Sequence, residues 1–291
     1  MARSDNLERQ YAGDVGPKVT ALVVAAQIAT TRESDKYVSE VLNQMDFGPP
    51  VEAGVLIPNS LAGVTGDGRP VASLLATSVG RARAVASRSV SDEAMGTGLQ
   101  SAQDFMDEVI QTILADTARA AEIAAMAPRE WVTGYIRVAE PGACSRCIVL
   151  AGKFYLFNEG FERHPSCRCN HLPAPEDKAR VRALIGVNSP QRYFDSLSTE
   201  EQNRTFTEAG ADAIREGADI SQVVNARRGM SKAQVLGRSL LVTTEGTTRR
   251  GVARSRMGNR AARLMPESIF KIAGDDRSEA IRLLRLYGYL A

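Results

Sequence analysis

Apolar and polar positions follow a helical period over most of this chain and switch to a strand period near its middle. Ala21 to Met45 is rich in Ala, Val and Leu, which predicts a helix, with Pro49–Pro50 as its stop. The stretch VLIPNSLAGVTGDGRP (55–70) predicts a loop. Pro58–Asn59 and Gly66–Asp67–Gly68 are turn chemistry, and Pro70 suits the first turn of a following helix. From Gly98 to Met126, apolar side chains recur at Met106, Val109, Ile110, Ile113 and Leu114, a helical stripe that Pro128 ends.

At WVTGYIRV (131–138) the period becomes two. Val132, Ile136 and Val138 alternate with Thr133, Tyr135 and Arg137, as in a strand with one face buried and the other in water. FYLF (154–157) predicts a second short strand, so the residues between and after the two fall on turns. A helix resumes at Leu197, with Ser198 and Glu201 spaced as a capping box and Gly217 as the stop. PESIFKIAGDDRSEAIRLLRLYGYL reads as two short helices, the second capped near Asp276 or Ser278. The expected fold is α+β and predominantly helical, with helical N- and C-terminal parts around a small central module of short strands and loops. The expected divisions are a helical domain over 1–130, the short-strand module over 131–177, a helical segment over 178–231, and an arginine-rich segment with C-terminal helices over 232–291.

An apolar content of 44% suffices for a buried core, and the balance of 36 basic against 34 acidic residues says little about partners. No apolar run reaches the roughly 18 residues of a membrane span; Val19 to Ala29 is broken by Thr20 and Gln27. MARSDNLERQ lacks the basic-then-apolar layout of a signal peptide. The expectation is a soluble protein made in a reducing cytoplasm, where clustered cysteines are more often metal ligands than disulfides.

All four cysteines and both histidines of the chain fall in CSRCIVLAGKFYLFNEGFERHPSCRCNH (144–171). The pattern is C-x2-C … H-x2-C-x-C-x-H. A C-x-x-C turn brings the Cys144 and Cys147 thiolates to one ion, and a tetrahedral zinc then needs two more ligands. His164, Cys167 and Cys169 compete for those places, with His171 last because it lies furthest along the exit. Cys167 and Cys169, two apart, are poorly placed for a disulfide, and the C-x-x-C lacks the βαβ setting of a redox motif. No H-x-E precedes the cysteines as in a zinc deaminase, and no H-E-x-x-H is present as in a zincin. The expectation is a structural Zn2+ site with no catalytic residue, stapling a module that has little core of its own. Bound zinc can supply folding free energy of about 10 kcal/mol to such a module.

A second concentration of chemistry lies downstream. Between Arg227 and Arg263 ten residues are basic, and only Glu245 opposes them. TTRRGVARSRMGNRAAR (247–263) has the composition of a flexible segment facing an anionic partner. Arg249, Arg250, Arg254, Arg256 and Arg260 are its candidate phosphate contacts, to double-stranded DNA without sequence preference. Aromatic residues are almost missing there, which argues against base stacking on single strands.

The block VTGYIRVAEPGACSRCIVLAGKFYLFNEGFERHPSCRCNHLPA resembles the signature region of Mu F-like minor head proteins of tailed phages, in which a C-x-x-C precedes an H-P-x-C-x-C run. IPNSLAGVTGDGRPVASLL, YFDSLSTEEQNRTFTEAGADAIREGADISQVVNARRGM and RLMPESIF…AIRLLRLYGYL are similar to stretches of its actinobacteriophage branch, so the resemblance covers most of the chain from about Val55. The family motif matches at Cys144, Cys147, His164, Cys167 and Cys169 and implies no catalytic role for them. The resemblance implies a low-copy, non-enzymatic virion protein for head morphogenesis, inside the capsid near the portal vertex and in the host cytoplasm during assembly. Portal protein, capsid or scaffold, and packaged DNA are the implied partners. The competing expectation is an enzyme, a capsid maturation protease or a zinc nuclease acting during packaging, although no G-x-S-x-G segment is present. A nucleic-acid-binding zinc module without a virion role is a third.

Overall fold

The structure, a computed structural model, describes residues 2–45, 56–87, 92–129, 131–156, 159–160, 164, 167–175, 177–235, 237–248, 251–258 and 262–291. The fold is α+β, mostly helical, with two small three-stranded sheets. The chain forms two compact units. One comprises Met1–Glu140 and Lys153–Ile185, the other Pro141–Gly152 and Gly186–Ala291.

The first unit opens with α1 (Ala2–Gln10), a π-helical turn at Tyr11–Val15, α2 (Gly16–Gln44), α3 (Val71–Ala86) and α4 (Asp92–Met126). Both long helices start earlier than the apolar pattern predicts. Pro70 is the N-cap of α3 and lies one residue outside the helix. Pro49–Pro50 fall outside the described residues. Val23, Val71, Leu75 and Ile113 form one apolar cluster; Val38, Leu42, Ala125, Met126, Val132, Tyr135 and Tyr155 form another. Each fully buried side chain of this kind contributes about 1.5–3 kcal/mol. Gln27, which interrupts the apolar run in the sequence, is fully buried. Its Nε2 donates to Val64 O (2.8 Å) and Thr117 Oγ1 (3.0 Å), and its Oε1 accepts from Gly63 N (2.9 Å). One amide thus ties α2, α4 and the loop before α3 together.

The first sheet contains β1 (Val132–Ala139) in the centre, with β2 (Phe154–Leu156) and β3 (Cys169–Pro175) antiparallel on its two edges. The one-faced alternation expected for β1 does not hold. Tyr135 and Arg137, expected in water, are buried, and Val138 is partly exposed. A central strand covered on both faces hides every other position as well. β3 was not expected as a strand at all; its Pro173 and Pro175 are tolerated because it is an edge. Gly134 is required where β1 meets β2, since a Cβ there would lie 2.1 Å from Tyr155 O.

Between β1 and β2, and belonging to the second unit, is α5 (Ser145–Val149). After β3 follow α6 (Lys178–Val187), then α7 (Pro190–Ser196), α8 (Thr199–Phe206), α9 (Glu208–Arg215) and α10 (Ile220–Ala226). Ser198 and Glu201 form the expected capping box. The helix expected to run from there to Gly217 is broken at Thr207, whose φ of 65° is rare for a β-branched residue. Thr207 Oγ1 accepts from Gly210 N and caps α9.

The second sheet, also unexpected, has the order β4 (Met230–Val235), β5 (Arg238–Thr243), β6 (Arg263–Leu264), with α11 (Val252–Met257) between β5 and β6. Among the described residues of the arginine-rich region, those of β4, β5, α11 and β6 therefore lie in regular secondary structure. The C-terminal pair is α12 (Pro266–Ala273) and α13 (Arg277–Leu286), with Asp276 capping the latter. Arg263 contradicts its expected exposure, being fully buried. Its guanidinium lies 4.1 Å from the Tyr289 ring centroid and donates to Tyr287 O, Glu245 O, Gly288 O and Gln222 Oε1.

Candidate metal centre

The cysteine-rich stretch begins with Cys144, the exposed N-cap of α5. Cys144 O accepts the Ile148 N–H, so the C-x-x-C turn is one turn of helix, and Cys147 sits within it, fully buried. These two cysteines were expected on a tight turn between short strands; that turn is the first turn of the short helix α5. His164 is half-buried. Cys167 precedes β3 and Cys169 begins it, both buried. Backbone bonds hold this entry, from Cys167 N to His164 O and from Glu140 N to Arg168 O.

The donor atoms of Cys144, Cys147 and His164 lie within 4.8 Å of one another, and so do those of Cys147, Cys167 and Cys169. Cys147 belongs to both groups. All five residues expected as ligands are therefore gathered, and either group could hold a metal ion. All four cysteines are free thiols. Soft thiolate and imidazole donors suit a transition-metal ion better than the hard cations magnesium and calcium.

His171 lies outside both groups. It is buried on β3, with Nδ1 3.0 Å from Glu122 Oε2 of α4 and its ring 4.1 Å from that of Tyr135. Tyr37 of α2 donates to His171 O at 3.0 Å. Burial, helped by the negative Glu122 and Glu140, pushes the Tyr37 phenol well above its usual range.

Two buried arginines, not singled out from the sequence, attend the downstream cysteines. Arg119 of α4 donates through Nε to Cys169 O at 2.6 Å and through Nη2 to Cys167 O. Its Nη1 lies 3.4 Å from Asp116 Oδ1. Arg137 of β1 approaches Cys167 Sγ at 4.0 Å through Nη2. The sequence signal for Arg119 was a charge inside the small-residue run ADTARAAEIAAM, where a helix packs closely.

Of the five candidate phosphate contacts, Arg254 and Arg256 are exposed on α11, while Arg249, Arg250 and Arg260 lie outside the described residues. Arg228, Lys232 and Arg238 are also exposed. Arg227 pairs with Glu267 at 2.8 Å. No described helix is long and apolar enough to cross a membrane. Compared with protein-family models, with curated proteins and with solved structures, the chain has no match.

Proposed function

We propose that this chain is a non-enzymatic structural protein of a tailed-phage head, present in few copies beside the portal inside the capsid, with Zn2+ bracing its cysteine-rich segment. The observation that carries the metal part is the gathering of five soft donors around the buried Cys147. A site with that many protein ligands can close its coordination sphere, which is the mark of structural rather than catalytic zinc. The virion part is supported by the resemblance of the Cys–His run and of the Tyr193–Met230 segment to Mu F-like minor head proteins. Exposed Arg254 and Arg256, with the neighbouring arginines of the same stretch, support non-specific contact with packaged duplex DNA.

Quantitative mass spectrometry of purified virions tests the assignment. The expected result is a signal at the stoichiometry of the portal protein. Presence in infected cells but absence from virions would overturn it in favour of a transient assembly factor or enzyme.

A further inference from the structure

We propose that the first unit carries a binding site for a small, uncharged, apolar molecule bearing one hydrogen-bond acceptor. The site is the cavity between α1, the π-helical turn, α3 and α4, and the Tyr11 hydroxyl is the donor that meets the acceptor. The inference is independent of the metal and virion readings above.

The cavity measures about 260 Å³. Leu7, Val79, Ala82, Leu99 and Met106 give it apolar walls, and among the described residues no charged side chain lines it. A charged ligand would lose its hydration there without gaining a partner. An enclosed apolar cavity of about 150 Å³ takes up benzene, so this one has room for a ring with a short substituent. The polar groups of the lining differ in what they have left to offer. Gln10 and Gln103 are exposed. Buried Ser78 spends its hydroxyl proton on Leu75 O, at 2.7 Å. The Tyr11 hydroxyl, by contrast, is buried and has no hydrogen-bond partner among the described residues. A buried donor without an acceptor is unfavourable, and an acceptor on a bound molecule removes that cost. Burial also raises the Tyr11 phenol above its usual value, so it meets an acceptor with its proton in place. The ring itself is held in position. A Cβ at Gly16 would lie 2.8 Å from Tyr11 Cε1, so glycine is needed for the ring to sit there. Tyr11 and Met106 also pack on the Val23, Val71, Leu75 and Ile113 cluster. The turn that carries Tyr11 is π-helical, a rare conformation that recurs at functional sites.

Methyl NMR on the full chain tests this with two molecules of similar size: acetophenone, which has a carbonyl acceptor, and ethylbenzene, which has none. Acetophenone should shift the methyl signals of Leu7, Val79, Leu99 and Met106. Tyr11→Phe removes only the hydroxyl; it should weaken acetophenone binding by about 2–10-fold and leave that of ethylbenzene unchanged. Ala102→Leu, which fills the cavity from the α4 side, should abolish the shifts with both. Absence of shifts at these methyls in the parent chain overturns the site, and so does binding that survives Ala102→Leu. Equal acetophenone affinity in Tyr11→Phe and the parent chain, or an equal loss for both molecules, removes Tyr11 as the donor.

Discussion

Glu122 on α4 and His171 on β3 meet inside the first unit, with Oε2 3.0 Å from Nδ1 and both side chains almost fully buried. With its amide oriented to donate, Asn170 Nδ2 lies 2.8 and 3.1 Å from the two Glu122 oxygens. One carboxylate thus anchors two consecutive residues of the strand that begins at Cys169. Glu122→Ala should cost about 1–3 kcal/mol, because it takes the carboxylate away from the buried His171 ring and the partly buried Asn170 amide. Thermal melting checks this, with an expected fall of about 2–4 °C for each kcal/mol lost. An unchanged melting temperature would mean that the pair contributes nothing.

Metal removal should act on the same region. Cys144→Ser with Cys147→Ser should abolish bound zinc and lower the melting temperature, as should a strong chelator applied to the parent chain. Elemental analysis and calorimetry on the same samples decide the matter. A double variant that keeps its zinc and its stability would exclude these two cysteines as ligands.

Thr207 offers a test of backbone strain. Its positive φ costs about 1–3 kcal/mol, while its hydroxyl caps α9 and accepts from Arg227. Glycine relieves the strain and loses the hydroxyl; alanine loses the hydroxyl and keeps the strain. Thr207→Gly should therefore be more stable than Thr207→Ala by about 1–2 kcal/mol in denaturant unfolding. The reverse order would show that the backbone there is unstrained.

Arg263 and the exposed arginines should separate cleanly. Arg263→Ala leaves several buried carbonyls without their donor and should destabilise the second unit by about 3 kcal/mol or more. Arg254→Ala with Arg256→Ala should leave melting unchanged. That pair should weaken duplex DNA binding and reduce the logarithmic salt slope by up to about 1.8. Filter binding at several salt concentrations checks the second half; undiminished binding removes these residues from the interface.

Burial raises the phenols of Tyr37 and Tyr289 well above the ordinary tyrosine value. A raised folded-state pKa means that their contribution to stability is complete below about pH 10, the unfolded value, and is lost as pH climbs towards the folded one. Ultraviolet titration should show these two among the seven tyrosines ionising only as the fold is lost. Reversible titration of all seven with the fold intact would contradict their burial. On the acid side, the Ser198 cap depresses Glu201 and Arg277 depresses Glu216. Their contributions are complete above about pH 4.3 and are lost as pH falls through the lowered values.

What could be read from the sequence follows the range of the interactions involved. The helices around Met106–Leu114, the Ser198–Glu201 box and the Asp276 cap depend on residues within four positions of each other, so local order suffices to show them. The cysteine spacing likewise identified the candidate ligands, because the whole cluster lies in one short stretch.

Tertiary structure decided the rest. Arg137 could be recognised as buried only once β1 was known to be central, and Arg119 could be linked to Cys167 and Cys169 only once α4 lay against residues 48 and 50 positions away. Arg263, written among exposed cations, is drawn inside by carbonyls of the C-terminal residues Tyr287 and Gly288. By itself, the sequence determined which residue types were concentrated together and where the helices capped at Ser198 and Asp276 begin. Which charges are buried, and beside which thiols, was settled by long-range packing, because the cost of burying a charge depends on neighbours that only the folded chain brings near.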